Sequence, residues 1–551
     1  MSLPRNAGGS QPLTSTPKIL VRAPNWIGDG VMTIPTLSAL RLFFKEAEIV
    51  LLAKPPVAAL FSQHPDVDRV LPYEDPGIHA GFSGFCSLIR MVRNEHFDLA
   101  FLFQNALEAA LIAFFAGIPK RVGYSTDGRG LLLTRSLPKR KAPPHRHDAY
   151  LALMTLVDGP AKGPMPHLLV PAEERKAART LLSSAGRRGS GPLIGINAGA
   201  AYGSAKRWST DRFAAVADQL SEAFQAEIVL FGGPSEVAIS EAIQSKMQTS
   251  SIVLAGKTSV REMIASVSQC RLFITNDSGP MHIASALGVP QVAIFGPTKP
   301  EATFSRGKND RMVQKKADCA PCRHRICPTD HRCMEGVSPD TVFKEASRLL
   351  SAKQKKKSAV FLDRDGTINV DSRYIDSIKR FSLIPGAAAA IARLNRHGIP
   401  VIVVTNQSGI ARGLFSESFL NQLHLHLQRL LAKNGARLDG IYYCPHHPDF
   451  QKNGENKKCA CRKPELGMIE QAALDHNLDF SKSYVVGDKP SDIGLAQNGA
   501  RSILVQTGEG IASLKKMTRS GLHLDHVAED LTEAVEWILR QNEQRNPAVD
   551  L

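Results

Sequence analysis

Two carboxylates one residue apart close an apolar run in Val360-Phe361-Leu362-Asp363-Arg364-Asp365-Gly366-Thr367. A short continuous apolar run reads as a buried parallel strand. Asp363 and Asp365 then stand at its C-terminal tip, where open α/β sheets place ligands. A carboxylate held beside a divalent cation attacks phosphorus, and a second one nearby protonates the leaving oxygen and later activates water. A lone D-x-D is more often the solvated start of a loop, so the residues that follow decide the matter. Val401 to Val404 is a second apolar run, and it ends in Thr405-Asn406-Gln407-Ser408-Gly409, whose hydroxyl and backbone amides suit a phosphoryl group. Arg462-Lys463-Pro464 supplies cations for the same phosphate. Tyr484 to Asp488 is a third strand ending in an acid, with Asp492 one turn later to complete a magnesium site.

Between the second strand and the lysine stand Cys444-Pro445-His446 and Cys459-Ala460-Cys461. Three thiols and one imidazole at this spacing form a Cys₃His set of the kind that closes tetrahedrally on Zn²⁺. The alternative is free thiols, since cysteines in a chain without an export signal stay reduced. The stretch from Pro448 to Lys458 is polar, has little core of its own and needs a staple. Its lower end runs into Arg462 and Lys463, so the metal would fix these cations against the phosphate.

The order of these motifs, from Ser358 to Gln541, resembles the haloacid-dehalogenase-type phosphatases. With the Cys/His loop the resemblance narrows to the D-glycero-D-manno-heptose 1,7-bisphosphate phosphatases. It implies Asp363 as nucleophile, Asp365 as general acid and base, and Thr405, Asn406, Arg462 and Lys463 as phosphate ligands. Asp363, Asp365 and Asp488 would hold Mg²⁺, and Cys444, His446, Cys459 and Cys461 would hold Zn²⁺. The related histidinol-phosphate phosphatases share the loop, so substrate choice within the pair stays open. The sequence departs from the family's Lys-Pro-x-Pro-Gly-Met at Lys463-Pro464-Glu465-Leu466-Gly467-Met468, a change expected to loosen the turn into the next helix.

The first part of the chain shows strand and helix patterns in alternation, which argues for parallel sheets with crossover helices. Lys18 to Ala23 is a strand, Pro24 to Gly30 a glycine-bearing loop, and Val31 to Phe44 has helical periodicity. Asp29, between two glycines, is either a general base at a strand tip or the N-cap of the helix. After the glycine-rich 186–191 hinge the pattern restarts. Leu193 to Gly199 is a strand ending in small residues, the following loop carries Lys206, and Glu227 to Phe231 closes on a loop with Glu236. Leu272 to Thr275 leads into Asn276-Asp277-Ser278-Gly279-Pro280-Met281-His282. Ser278 and Gly279 open a helix there, where free amides and the positive helix end suit a diphosphate.

Together, Pro24 to Gly30, Ala198 to Trp208 and Asn276 to Gly288 resemble the family 9 glycosyltransferases of the lipopolysaccharide heptosyltransferase II type, over Lys18 to Leu350. The resemblance implies a two-lobed GT-B fold and inverting transfer from ADP-heptose to a heptosyl-Kdo-lipid A acceptor. Asp29 would be the base. Lys206, Ser278 and Gly279 would hold the diphosphate, with Asp277, His282 and Glu236 around the sugar and ribose.

At 551 residues the chain is too long for one core. The expected architecture is α/β throughout: a lead at 1–17 that reads as disordered, two Rossmann-like GT-B lobes at 18–175 and 186–350, a Lys-rich linker at 351–357, and a HAD-like phosphatase with a zinc loop at 358–545. The formal charge of +16 raises a nucleic-acid partner, but no zinc finger, RNA-recognition signature or aromatic-interleaved basic stripe accompanies it. Phosphorylated sugars, or peripheral contact with the anionic inner membrane, suit the same charge. No apolar run approaches the ~18 residues of a membrane span, so a cytoplasmic enzyme is expected. Cys319, Cys322, Cys327 and Cys333 form a second cluster to which the sequence assigns no function. The combined expectation is a bifunctional enzyme of heptose and lipopolysaccharide core synthesis. Its alternative is a histidinol-phosphate-type phosphatase joined to a non-catalytic acceptor-binding module.

Overall fold

A computed structural model describes residues 16–322, 324–352, 356–450 and 459–545. Most of the expected lead, the middle of the Lys-rich linker and the 451–458 part of the zinc loop lie outside the described residues.

Three parallel sheets of six strands make up the framework. The first contains Lys18–Arg22 (β1), Glu48–Ala53 (β2), Arg69–Pro72 (β3), Leu99–Leu102 (β4), Lys120–Tyr124 (β5) and Arg135–Leu137 (β6). The second contains Leu193–Asn197 (β7), Glu227–Phe231 (β8), Ser251–Val253 (β9), Leu272–Asn276 (β10), Gln291–Phe295 (β11) and Asp310–Gln314 (β12). The third contains Val360–Leu362 (β13), Val401–Asn406 (β14), Gly440–Cys444 (β15), Tyr484–Gly487 (β16), Arg501–Val505 (β17) and His526–Ala528 (β18). Their orders are β3-β2-β1-β4-β5-β6, β12-β11-β10-β7-β8-β9 and β15-β14-β13-β16-β17-β18. Counted within each sheet, all three are the same doubly wound order, with the direction of winding reversing between the first and fourth strands. The crevice at that switch point is where such sheets bind ligands.

The strand sequences explain the burial. Central strands covered by helices on both faces need apolar side chains at every position rather than at alternate ones. In the third sheet Val360, Leu362, Val401, Val403 and Val486 join one core cluster. Phe361, Ile402, Val404 and Val485 join another on the opposite face.

The chain divides into two compact units, Met1–Pro166 with Lys299–Phe304, and His167–Thr298 with Ser305–Leu551. The first sheet belongs to the first unit, and the second and third sheets share the other. Within that shared unit the helix Ala172–Ser184 touches both sheets' layers. Its Glu174 pairs with Arg261 at 2.5 Å beside the second sheet. On the side of the third sheet, Arg179 donates to Asp475 at 2.9 Å and Ala172 packs against the core of Phe361 and Tyr442. Asp475 is almost fully buried and also accepts from Tyr442 and Gln471.

One boundary differs from the sequence expectation. The helix after β1 begins at Ile27, so Asp29 lies inside its first turn and is not the N-cap, which is Trp26. Glycine at position 30 lets this turn lie close to the neighbouring helix, where a Cβ would stand 3.1 Å from Leu60 and 3.3 Å from Val57. Among the described residues no helix is long and apolar enough to cross a membrane.

Candidate active sites

In the third sheet the switch point falls between β13 and β16, and the acids that end these strands meet there. Asp363, Asp488 and Asp492 are buried, and each offers an oxygen within 4.8 Å of the others. Lys463 reaches into the cluster, donating to Asp363 at 2.7 Å and to the Val404 carbonyl at 2.9 Å, and pairing with Asp492 at 2.7 Å. Lys489 stands at the rim, bonded to Asp371 at 3.0 Å. The carboxylates still outnumber the cations. Burial, then the charge of Asp492 against the relief from Lys463, pushes Asp363 up to about 6. Burial and the charge of Asp363 push Asp488 up to about 7.

Oδ2 of Asp488 accepts from the Glu509 amide at 2.8 Å, while Oδ1 is buried with no hydrogen-bond partner among the described residues. An orphaned carboxylate oxygen facing two more carboxylates fits a hard divalent cation. The backbone keeps this space open. A Cβ at Gly366 or at Gly508 would stand 2.3 Å from Asp488 Oδ2, and both residues have left-handed φ, +91° and +58°.

Asp365 lies apart from this trio. Its carboxylate accepts from Arg364 at 2.8 Å, Asn369 at 2.9 Å and Gln407 at 2.9 Å. Burial raises its pKa, but the charge of Arg364 and these three donors outweigh it and hold the acid below its ordinary range. The structure thus groups Asp492, rather than the side chain of Asp365, with Asp363 and Asp488. The reason is local: the neighbouring arginine, fixed in the core, captures Asp365. Thr405 is buried at the end of β14, and its hydroxyl accepts from Gln407 at 2.8 Å. Asn406 pairs with the backbone of Lys463 on both sides, accepting from its amide at 3.1 Å and donating to its carbonyl at 3.4 Å. It therefore positions the lysine.

Arg364, Gln407, Asn369 and Lys489 were not singled out from the sequence. The signal was available for the first: an arginine between two acids at a buried strand tip must find several acceptors. It finds one more in His424, whose Nε2 accepts from Arg364 at 3.2 Å. Burial and then the charge of Arg364 hold His424 at about 3. The folded value lies below the unfolded one, so the ring stabilises the fold fully above pH ~6.5 and this contribution is lost as pH falls towards 3. At pH 5 the neutral ring should cost about 2 kcal/mol relative to a non-titrating one. Urea unfolding of the full chain is expected to lose stability between pH 7 and 5 more steeply than His424→Gln does; identical slopes would refute the assignment. Comparing the two variants cancels the opposite contributions of Asp363 and Asp488.

The four residues expected to hold zinc converge at the edge of the same sheet. Cys444 ends β15 in register with Asn406 of β14. Its sulfur lies 3.8 Å from both His446 Nδ1 and Cys459 Sγ, and His446 Nδ1 lies 3.0 Å from Cys459 and 3.4 Å from Cys461. A hydrogen bond from Cys461, the largest of several effects, lowers Cys444 to about 5, and the same bond pushes Cys461 up. Three sulfurs and an imidazole nitrogen within 4.8 Å of one another fit zinc. Arg462 donates to the His446 carbonyl at 3.0 Å, which ties the loop to the residue before Lys463. The turn that lacks the family's second proline is fastened by Glu465 N to Arg462 O at 2.8 Å and Gly467 N to Ala460 O at 2.9 Å.

In the second sheet the switch point lies between β7 and β10. Lys206 donates to Asp277 Oδ2 at 2.6 Å, an oxygen that also accepts from Thr298 at 2.7 Å. Ser278 occupies the N-cap position of the helix Gly279–Ala286, yet its side chain makes no capping bond. Its hydroxyl lies 3.1 Å from Thr275 Oγ1 and donates to Asn197 at 3.3 Å. His282 is buried on that helix. Glu236 caps the Gly233 amide at 2.9 Å and lies over Gly199, where a Cβ would stand 1.8 Å from its Oε1. The structure thus brings the loop of Glu236 to the tip of β7, beside the loop of Lys206. Beside the first sheet, in the helix that follows β1, Asp29 is buried and accepts from Arg146 Nη1 with both oxygens, at 2.6 and 2.9 Å.

Three doubly wound sheets, the third with a buried acid trio and a Cys/His loop, define a GT-B-like glycosyltransferase followed by a HAD-like phosphatase domain. The sequence comparisons agree. Residues 85–332 match glycosyltransferase family 9 (heptosyltransferase), and 360–431 match haloacid dehalogenase-like hydrolases, with a further HAD-hydrolase-like match at 460–534. The D-glycero-beta-D-manno-heptose-1,7-bisphosphate 7-phosphatase of Haemophilus ducreyi is 47% identical over 161 residues, 28% of this chain and 87% of the relative. The D-glycero-D-manno-heptose-1,7-bisphosphate 7-phosphatase of Thermosynechococcus vestitus is 45% identical over 187 residues, 33% of this chain and 95% of its own length. The structure of Escherichia coli ADP-heptose LPS heptosyltransferase II is matched with a TM-score of 0.53 at 28% identity, over 60% of this chain and 98% of that one. The chain belongs to glycosyltransferase family 9 in its N-terminal part and to the HAD-like heptose bisphosphate phosphatases in its C-terminal part, as a fusion of the two.

Proposed function

We propose that the third sheet hydrolyses the C7 phosphate of D-glycero-D-manno-heptose 1,7-bisphosphate. The first two sheets would transfer heptose from ADP-heptose to a heptosyl-Kdo-lipid A acceptor. The observation that carries the phosphatase reading is the buried contact of Lys463 with Asp363 and Asp492 beside the unpaired oxygen of Asp488. Asp363, Asp488 and Asp492 would hold Mg²⁺, which when bound supplies charge to the phosphoryl oxygens. Asp363 attacks phosphorus and forms an aspartyl phosphate, with Lys463 against the phosphoryl oxygens. Asp365 gives the leaving sugar oxygen its proton and then takes one from the water that releases phosphate. Arg364, Gln407 and Asn369 fix the direction of that carboxyl group, and an incoming phosphate dianion raises its affinity for the proton it must deliver.

Comparing turnover of heptose bisphosphate and histidinol phosphate tests the substrate. A strong preference for the second would overturn the reading. Zinc held by Cys444, His446, Cys459 and Cys461 would order the loop that ends in Arg462 and Lys463. Cys459→Ser is expected to lose zinc and to slow phosphate release on the order of 10²-fold, with transfer unchanged. Full activity in zinc-free protein would refute this role.

For transfer, Asp29 would take the proton from the acceptor hydroxyl. Lys206, Ser278 and Gly279 would neutralise the departing diphosphate, and Asp277, His282 and Glu236 would surround the donor. Both activities act on soluble sugar phosphates or nucleotides, which fits a cytoplasmic enzyme that meets its lipid acceptor at the inner membrane through its basic surface.

A further inference from the structure

The chain between β12 and the helix Arg332–Glu335 forms neither helix nor strand among the described residues, and it carries four thiols in a C-x₂-C-x₄-C-x₅-C pattern. Cys319, Cys322, Cys327 and Cys333 all line one cavity of about 100 Å³, together with His331 and Ala205. None is in a disulfide. Cys333 is buried in the core of the second sheet, its sulfur close enough to Gly296 that a Cβ there would stand 3.1 Å from it. Cys319 is exposed, and Cys322 and Cys327 are half-buried. The loop has little core of its own, with Ile326 largely exposed. Its backbone is moored by the Cys322 amide to the Pro297 carbonyl at 2.8 Å.

The same loop grips the residue before Lys206 on both sides. The Ala205 amide donates to the Arg325 carbonyl at 3.0 Å, and the Ala205 carbonyl lies 2.7 Å from His331 Nε2. The rings and charges follow suit: both Lys206 and Arg325 lie over the Tyr202 ring, at 5.3 and 5.6 Å. Whatever fixes the cysteine loop therefore fixes Lys206.

We propose that Cys319, Cys322, Cys327 and Cys333 bind a tetrathiolate metal ion of the zinc or iron class, separate from the Cys444 site, and that it staples the loop that positions Lys206. Four sulfur ligands lining one cavity select these metals. The thiols do not yet converge as those at Cys444 do, since only two sets of described residues place all their ligand atoms within 4.8 Å, and this is not one of them. Binding must draw the three outer sulfurs onto Cys333 and release their protons. The consequence for Lys206 rests on the transferase reading given above; the metal site itself does not.

Metal analysis of the full chain tests it. Wild type should carry about two equivalents of thiophilic metal, Cys322→Ser/Cys327→Ser about one, Cys459→Ser/Cys461→Ser about one, and the combined variant none. A coloured thiolate charge-transfer band would assign iron to the site, and its absence zinc. Cys322→Ser/Cys327→Ser should raise the KM for ADP-heptose about tenfold with a smaller change in kcat, while phosphatase turnover stays at the wild-type rate and certifies the fold. Should that double variant lose its fold, the single Cys319→Ser substitution at the exposed position, with cobalt titration of metal-stripped wild type, gives the same count. Equal metal in wild type and Cys322→Ser/Cys327→Ser would overturn the site. Metal loss with an unmoved KM would overturn its link to Lys206, whereas absence of transfer in wild type would strike the transferase reading and leave the metal count standing.

Discussion

Asp363→Asn is expected to slow phosphate release from heptose bisphosphate by at least about 10³-fold while heptosyl transfer proceeds at the wild-type rate. The substitution keeps the shape of the side chain and removes the nucleophilic oxygen, so the covalent route closes. It leaves Lys463 with the Val404 carbonyl and Asp492, which are enough to keep a buried ammonium paired. It also removes one of three buried carboxylates whose mutual repulsion, with burial, pushes Asp363 up to about 6. Global stability should accordingly hold, and thermal unfolding of the variant should match wild type within a few degrees. Trapping labelled phosphate on the protein after acid quench completes the test. Label on wild type and none on the variant is the expected result, and wild-type turnover in the variant would refute the nucleophile.

Asp29→Asn should abolish heptosyl transfer to a comparable degree, on the order of 10³-fold in kcat, and leave phosphate release untouched. Asp29 is buried in the first turn of the helix Ile27–Phe43, and its carboxylate is held in place by Arg146. An amide keeps one of the two acceptors for Arg146 and the shape of the side chain, while the basicity goes. Donor affinity should stay unchanged, since Lys206 and Ser278 lie on the second sheet's loops. A fall in kcat with an unaltered KM for ADP-heptose is the signature of a base; a raised KM with normal kcat would reassign Asp29 to binding.

The strands that lead into the candidate sites were legible because they are apolar at consecutive positions, as in Val360 to Leu362 and Val401 to Val404. The edge strands Arg69–Pro72 and Arg135–Leu137 were not, because a short strand half open to solvent carries charges that imitate a loop. Motif order located Asp363, Lys463 and Asp488 because each ends or follows a buried strand. Spacing likewise located the Cys/His set. Chain order also placed Asp492 with Asp363 and Asp488, since it follows β16 by one helical turn. It could not show that Asp365 is turned away by its own neighbour Arg364. Nor could it show that Asn406, read as a phosphate ligand, spends both polar atoms on the Lys463 backbone.

The salt bridge from Arg179 to Asp475 bears on how this chain can be divided. The lysine run is where the polypeptide invites cutting, yet the phosphatase's mechanical seam lies far upstream, along the helix Ala172–Ser184. A fragment beginning at the lysine run would strip a buried acid of its guanidinium and uncover the apolar bed beneath Ala172.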